Sequence, residues 1–157
     1  MSIEDNLVLA ASPDLSRFGL IDRSREQAAT NEIVAKLHIL ANNLSAPVRT
    51  LSGGNQQKVV IGKWLATEIE VLLLSDPTKG VDIHARSEIY AIIGELAAAG
   101  SAALIFASEM QELLLHCDRI LVMYEGRIVA DLTGEAMTEP AIMAAAFGRP
   151  GQGVAAP

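Results

Sequence analysis

Apolar positions along the chain fall in blocks whose spacing switches between the helical and the extended period. Residues 12–24 carry Pro13, Gly19 and several polar groups and read as a loop. Ile33, Leu37 and Leu40 recur at helical spacing and predict a helix over 25–42. A connection at 43–50 follows. A second helix is predicted from Gly53 onward, with Val60, Ile61, Trp64 and Leu65 on one face and Trp64 in the core. The run VLLLS at 71–75 suits a strand buried on both faces. Asp82 is placed to cap a helix whose Ile89, Ile92, Ile93 and Leu96 face a core. A second buried strand is predicted at 102–107, and Met110, Leu113, Leu114 and Cys117 mark another amphipathic helix. Residues 119–124 and 127–131 alternate across Glu125-Gly126, a two-residue hairpin signal. A last helix is predicted over 138–147, ending at Gly148, before a tail at 149–157 expected to be disordered.

Strands alternating with helices imply a parallel α/β sheet with right-handed crossovers. Function in such folds gathers at the carboxyl ends of strands. Three places qualify: Ser75-Asp76, Ser108 and the loop around Gly126. Residues 89–108 are about as long as a membrane span, but Glu95 and the AAAGS break make them a helix, a turn and a strand.

Composition adds limits. The chain has 157 residues, half of them apolar and a fifth charged, which suits a globular protein with a sizeable core. The single cysteine, Cys117, excludes an internal disulfide and fits a reduced compartment. The N-terminus has neither the basic nor the apolar region of a signal peptide. The net charge of −7 is uneven: residues 33–67 hold Lys36, Arg49, Lys58 and Lys63 with no acid, and the other eight basic and nineteen acidic residues leave −11. The acidic total argues against nucleic-acid binding. The basic island suits a small anion, or is simply a run without acids. His116 and Cys117 have no second ligand pair at metal-binding spacing, so core packing is the reading for Cys117 and no metal site is expected. His38 and His84 read as surface groups, and Asp14 and Asp22 as loop and cap residues.

The sharpest feature is LSGGNQQK, Leu51 to Lys58. Ser52 is a natural N-cap. Gly53 and Gly54 let backbone approach a ligand, and the helix that follows offers unpaired N–H groups and the positive end of its dipole. A phosphate oxygen fits such a place. Asn55, Gln56 and Lys58 would add donors. An ordinary Ser-capped, Gly-rich helix start looks the same, so the glycines alone decide nothing.

The order of features decides more. VLLLSDPTKGVD, an apolar strand ending in an acid, follows LSGGNQQK after one helix. Together they resemble the ABC ATPases, and most of all the second nucleotide-binding half of the double-domain ATPases of bacterial sugar importers. The resemblance continues through KWLA, SEIYAIIGELAAAG and CDRILVMYEGRI and covers about residues 2–148. It implies a partial P-loop NTPase sheet with a helical subdomain and a C-terminal hairpin. Residues 1–66 would form the helical subdomain with the signature, and 67–148 the rest of the ATPase core. It also implies a mechanism. Two nucleotide-binding domains sandwich ATP, and Leu51, Ser52, Gly53, Gly54, Asn55 and Gln56 would present the signature to the γ-phosphate held by the other domain. Gly80 and Asp82 would lie in the loop crossing that interface. The helical segment, about 15–50, would touch the membrane permease at the cytoplasmic face of the inner membrane, and a periplasmic sugar-binding protein would take part indirectly.

Several departures from the family bear on catalysis. No GxxxxGK[ST] occurs in the sequence, so ATP would be shared with a partner domain and Mg²⁺ would come only through that partner. The glutamine loop of the family would precede Met1. The family places Asp then Glu before Pro-Thr; here the pair is Ser75-Asp76. A hydroxyl at 75 offers Mg²⁺ no charge. Asp76 is one methylene shorter than the expected base, and a misplacement near 1 Å costs on the order of a hundredfold in rate. Ser108 stands where many members have a switch histidine. Together these predict a degenerate catalytic site, inactive alone. The family's central strand, which precedes the phosphate loop, is also missing between the strands at 102–107 and 119–124, so the chain alone is expected to be marginal, rearranged or oligomeric unless a partner complements it. Three functions remain open: a motor component presenting its signature in trans, a non-catalytic docking module for a permease or ATPase, and a receiver-like domain with Asp76 as phospho-acceptor. The last needs a cluster of acids that Ser75 interrupts.

Overall fold

A computed structural model describes residues 1–13, 15–17, 20–67 and 69–148. The expectations for Asp14 and for a disordered tail at 149–157 fall outside the described residues. The chain divides into two compact units, Met1–Leu104 and the residues from Ile105 on.

The first unit opens with α1 (Ile3–Val8), which the apolar periodicity did not reveal. A capping box starts it: Asp5 N–H donates to Ser2 Oγ at 3.0 Å and Ser2 N–H to Asp5 Oδ2 at 3.1 Å. The loop expected at 12–24 contains a minimal antiparallel hairpin, β1 (Ser16–Arg17) with β2 (Leu20–Ile21), paired Ser16 to Ile21 and Arg17 to Leu20. Asp22 caps α2 (Arg23–Lys36), its Oδ1 accepting the Ser24 and Arg25 N–H groups. The helix ends at Lys36, short of the predicted 42. His38 takes a left-handed φ of 48° and breaks it, leaving Leu40 exposed rather than on the apolar face. A short 3-10 turn (Val48–Thr50) then leads to α3 (Gly53–Leu65).

α3 packs where it has no bulk. A Cβ on Gly62 would sit 2.7 Å from Leu37 Cδ1 and 2.8 Å from Leu7 Cδ2, so this glycine lets α1 and α2 close on α3. The buried face of α3 is Gly54, Lys58, Val59, Ile61 and Gly62. The predicted face was rotated from this one: Ile61 is buried, but Val60 and Trp64 are 48% and 46% exposed, so Trp64 is not a core residue.

β3 (Val71–Ser75) and β4 (Ala102–Phe106) pair in a small parallel sheet, with α4 (Ile83–Ala98) as the crossover. Neither strand is buried on both faces as predicted. In β3 Leu72 alone is buried and in β4 no residue is, with Val71, Leu73, Leu104 and Phe106 exposed, because a sheet of only two strands is too narrow to be enclosed between layers. Asp82 caps α4 as expected, and Ile89, Ile92 and Ile93 face the core with Leu96 half-buried. Among the described residues no helix is long and apolar enough to cross a membrane.

The second unit holds α5 (Met110–His116), β5 (Arg119–Tyr124), β6 (Arg127–Thr133) and α6 (Glu139–Ala146). Its core joins Ile120, Val122, Ala130 and Leu132 of the hairpin to Ile142 and Ala145 of α6, with Met110, Leu113, Leu114 and Cys117 packed against them. The Glu125-Gly126 turn has φ of 47° and 76°, the left-handed pair that matches strand twist. Arg119 grips Asp131 across the hairpin with two bonds of 2.7 and 2.6 Å.

Candidate functional site

The signature forms an N-cap and the first turn of α3. Ser52 has extended backbone angles (φ −61°, ψ 156°), as a cap requires. Its Oγ accepts from Asn55 Nδ2 at 3.0 Å, and the Asn55 N–H lies at a long 3.5 Å. Gln56 Nε2 donates to the Leu51 carbonyl at 2.8 Å, which ties the turn to its own first residue. Asn55 Oδ1 accepts the Leu40 N–H at 2.9 Å.

The glycines have separate local reasons. A Cβ on Gly54 would meet the Ala85 Cβ at 2.4 Å, so Gly54 is where α3 touches the start of α4. A Cβ on Gly53 would lie 3.6 Å from the Gly80 carbonyl. The signature therefore sits beside the 76–82 turn, and Gly80 and Asp82 are its neighbours within one unit. Gly80 takes a φ of 76°. The exposed Asp82 carboxylate caps α4 by accepting the Ala85 N–H at 2.9 Å, and that bond holds its carboxyl below the usual range.

Lys58 does not serve the signature turn as a donor. It is 3% exposed, pairs with Glu88 Oε2 at 2.8 Å and donates to the His38 carbonyl at 3.2 Å. A buried ammonium needs such partners, and these consume it. The hydrogen bond from Lys58, reinforced by its charge, holds the Glu88 carboxyl below the usual carboxylate range. His84 is exposed, with Nδ1 3.7 Å from Glu88 Oε1. Glu88, Ala85 and the 38–40 turn were invisible as partners of the signature in the sequence. The small residue three places after the Asp82 cap was the available signal for the Gly54 contact.

Ser75 is exposed at the carboxyl end of β3. Asp76 follows with φ 45°, a left-handed value that Asp tolerates better than most residues, and its carbonyl accepts the Lys79 N–H at 3.1 Å. Pro77 and Thr78 are buried behind it. Ser108 belongs to the second unit, exposed between β4 and α5. Cys117 is half-buried in the second core, where burial pushes its thiol up. Among the described residues no group of three or more His, Cys, Asp or Glu could hold a metal.

A groove of about 520 Å³ runs between α3 and β3 in the first unit, lined by Val60, Trp64, Val71, Leu73, Ser75 and Pro77 among others. A second hollow of about 720 Å³ lies beside the signature, bounded by Leu40, Asn42, Asn43, Thr50, Ser52 and Asn55.

This architecture is the ATP-binding-cassette ATPase fold. The ADP conformation of an ATP-binding cassette of an ABC transporter superposes with a TM-score of 0.74 at 23% identity, over 94% of this chain and 63% of that one. A nucleotide-free ATP-binding cassette gives 0.73 at 24% identity, over 87% and 57%. In sequence the chain is a relative of ribose import ATP-binding proteins. It is 46% identical to one from Streptomyces coelicolor over 92% of its own length, and 45% identical to one from Rhodopirellula baltica over 95%. The chain spans 28% and 29% of the length of those two proteins. No family model matches it.

Proposed function

We propose that the chain is the signature-bearing portion of an ABC-type sugar-import ATPase, presenting Leu51 to Gln56 to ATP held by a second nucleotide-binding domain. The observation that carries this reading is the packing of the signature turn against the 76–82 loop, through Gly53 with Gly80, and against the start of α4 just after it, through Gly54 with Ala85. That packing places a helix N-terminus and the Ser52 hydroxyl beside the loop that would cross the sandwich, and a γ-phosphate oxygen suits those donors. The segment 15–50 would dock on a permease at the cytoplasmic face of the inner membrane. A periplasmic binding protein would deliver a sugar of the ribose or galactose kind.

The chain's own strand end does not fit Mg²⁺. Ser75 is neutral, Asp76 brings a single carboxylate, and no three-acid cluster occurs among the described residues. The metal would therefore be held by the partner domain's residues, and Ser75, Asp76 and Ser108 would make a degenerate hydrolytic set. The test is ATPase activity of an intact ATP-binding cassette with this chain added. Stimulation that Ser52→Arg abolishes supports the reading. No stimulation by the unaltered chain refutes it. A second reading, a docking module that touches no nucleotide, draws on the apolar groove along α3 and β3. It requires that Ser52→Arg leave complex formation and any stimulation unchanged.

A further inference from the structure

The 38–40 turn starts a chain of contacts that runs through Asn55 and ends on the Ser52 hydroxyl. We infer that Asn55 is a positioning residue: it fixes Ser52 Oγ–H as an outward hydrogen-bond donor, so that the signature selects an anionic oxygen. This inference rests on the reading of the signature as phosphate-facing, and it assigns to Asn55 an action through Ser52.

The Leu40 backbone N–H can only donate, and it meets Asn55 Oδ1 at 2.9 Å. That contact settles which way the amide faces. The oxygen points to Leu40, so the nitrogen points to Ser52 and donates to its Oγ at 3.0 Å. The Asn55 backbone N–H approaches the same oxygen at 3.5 Å. A hydroxyl has two lone pairs and one proton. With donors of Asn55 on its lone-pair side, its remaining capacity is the proton. Such a group binds an acceptor, and a charge-bearing acceptor most strongly.

The arrangement is held from behind. Leu40 follows His38, whose left-handed φ of 48° aims its carbonyl at Lys58 Nζ, 3.2 Å away. Lys58 lies three residues after Asn55, so both side chains leave α3 on neighbouring positions and grip the same 38–40 turn. Glu88 of α4 completes the chain by pairing with Lys58 at 2.8 Å.

The test replaces the hydroxyl with a thiol whose charge can be read. In a Cys117→Ala background, Ser52→Cys puts the only sulfhydryl at the cap. Its thiolate absorbance is then titrated against pH in the full chain. Donation from Asn55 and the helix terminus places the midpoint below that of an ordinary thiol. Adding Asn55→Leu, which is uncharged and similar in size, raises the midpoint by about one pH unit. Asn55→Asp, which turns an acceptor toward position 52, raises it further. Coincident midpoints with and without Asn55→Leu overturn the positioning role. So does a rise confined to Asn55→Asp, which would be the field of a new carboxylate alone. The titration uses no nucleotide and no partner, so its outcome is separate from that of the ATPase experiment.

Discussion

Lys58, 3% exposed in α3, holds Glu88 of α4 at 2.8 Å, and the two ends of this ion pair differ in their access to water. The Glu88 side chain is 39% exposed, the Lys58 side chain 4%. Removing the carboxylate strands a buried ammonium, whereas removing the ammonium leaves a carboxylate that water can reach. Glu88→Gln is therefore expected to cost more than Lys58→Met, by about 1–2 kcal/mol after allowance for the solvent at the acidic end. Urea unfolding of the two variants measures the difference, and equal losses would contradict the asymmetry. The pair also sets a pH dependence. The folded carboxyl of Glu88 lies below its ordinary value of 4.5, so its contribution is fully present above that value and fades as the pH falls through the folded one. Glu88→Gln should flatten the acid limb of the stability profile.

Gly54 tests the junction between the signature and α4. A Cβ there would meet Ala85 Cβ at 2.4 Å, closer than real side chains approach. Gly54→Ala should lower stability by about 2 kcal/mol through overpacking, against the usual gain from alanine in a helix. Ala85→Gly in the same chain should recover part of that loss, although each change alone destabilises. Additive losses in the double variant would mean that the two positions do not touch.

Much of the fold was legible because its punctuation is chemical. Asp22, Ser52 and Asp82 cap their helices where the sequence placed them, and Glu125-Gly126 turns the hairpin. The errors came from periodicity read without its partners. Leu40 keeps the helical rhythm of α2, but the chain leaves the helix at His38 so that its carbonyl can meet Lys58. Val60 and Trp64 are as apolar as a core face, yet Gly54, Lys58 and Gly62 occupy the inward side, because close packing there needs small residues and one paired charge. In the candidate site, the motif pointed to Ser52 and the glycines. It could not show that Asn55 and Lys58 both reach back to the 38–40 turn, since that depends on a left-handed residue 14 positions before Ser52.

The hairpin turn offers a gain rather than a loss. Glu125 sits at φ 47° and Gly126 at φ 76°. Glutamate in that region bears the steric cost of a left-handed backbone, which asparagine tolerates better. Glu125→Asn should add roughly 0.5 kcal/mol and raise the melting midpoint by about 1–2 °C. A lower midpoint, with the hairpin amides still protected from exchange, would show that the Glu125 side chain makes a compensating contact.

The groove between α3 and β3 predicts how the chain behaves alone. Val60, Trp64, Val71 and Leu73 are 48%, 46%, 58% and 72% exposed, so a contiguous apolar strip faces water. It runs along a two-stranded sheet, and strand edges beside exposed apolar residues recruit other chains. The isolated chain should therefore self-associate as its concentration rises, with Trp64 emission moving to the blue as its ring leaves water. Leu73→Lys, at a site already open to solvent, should weaken that association with little change in the fold. Sedimentation velocity at several concentrations, read beside the fluorescence, decides the matter. A monomer with a single sharp melt and unchanged Trp64 emission across the series would show that the strip is tolerated, and that the chain needs no covering partner to be stable.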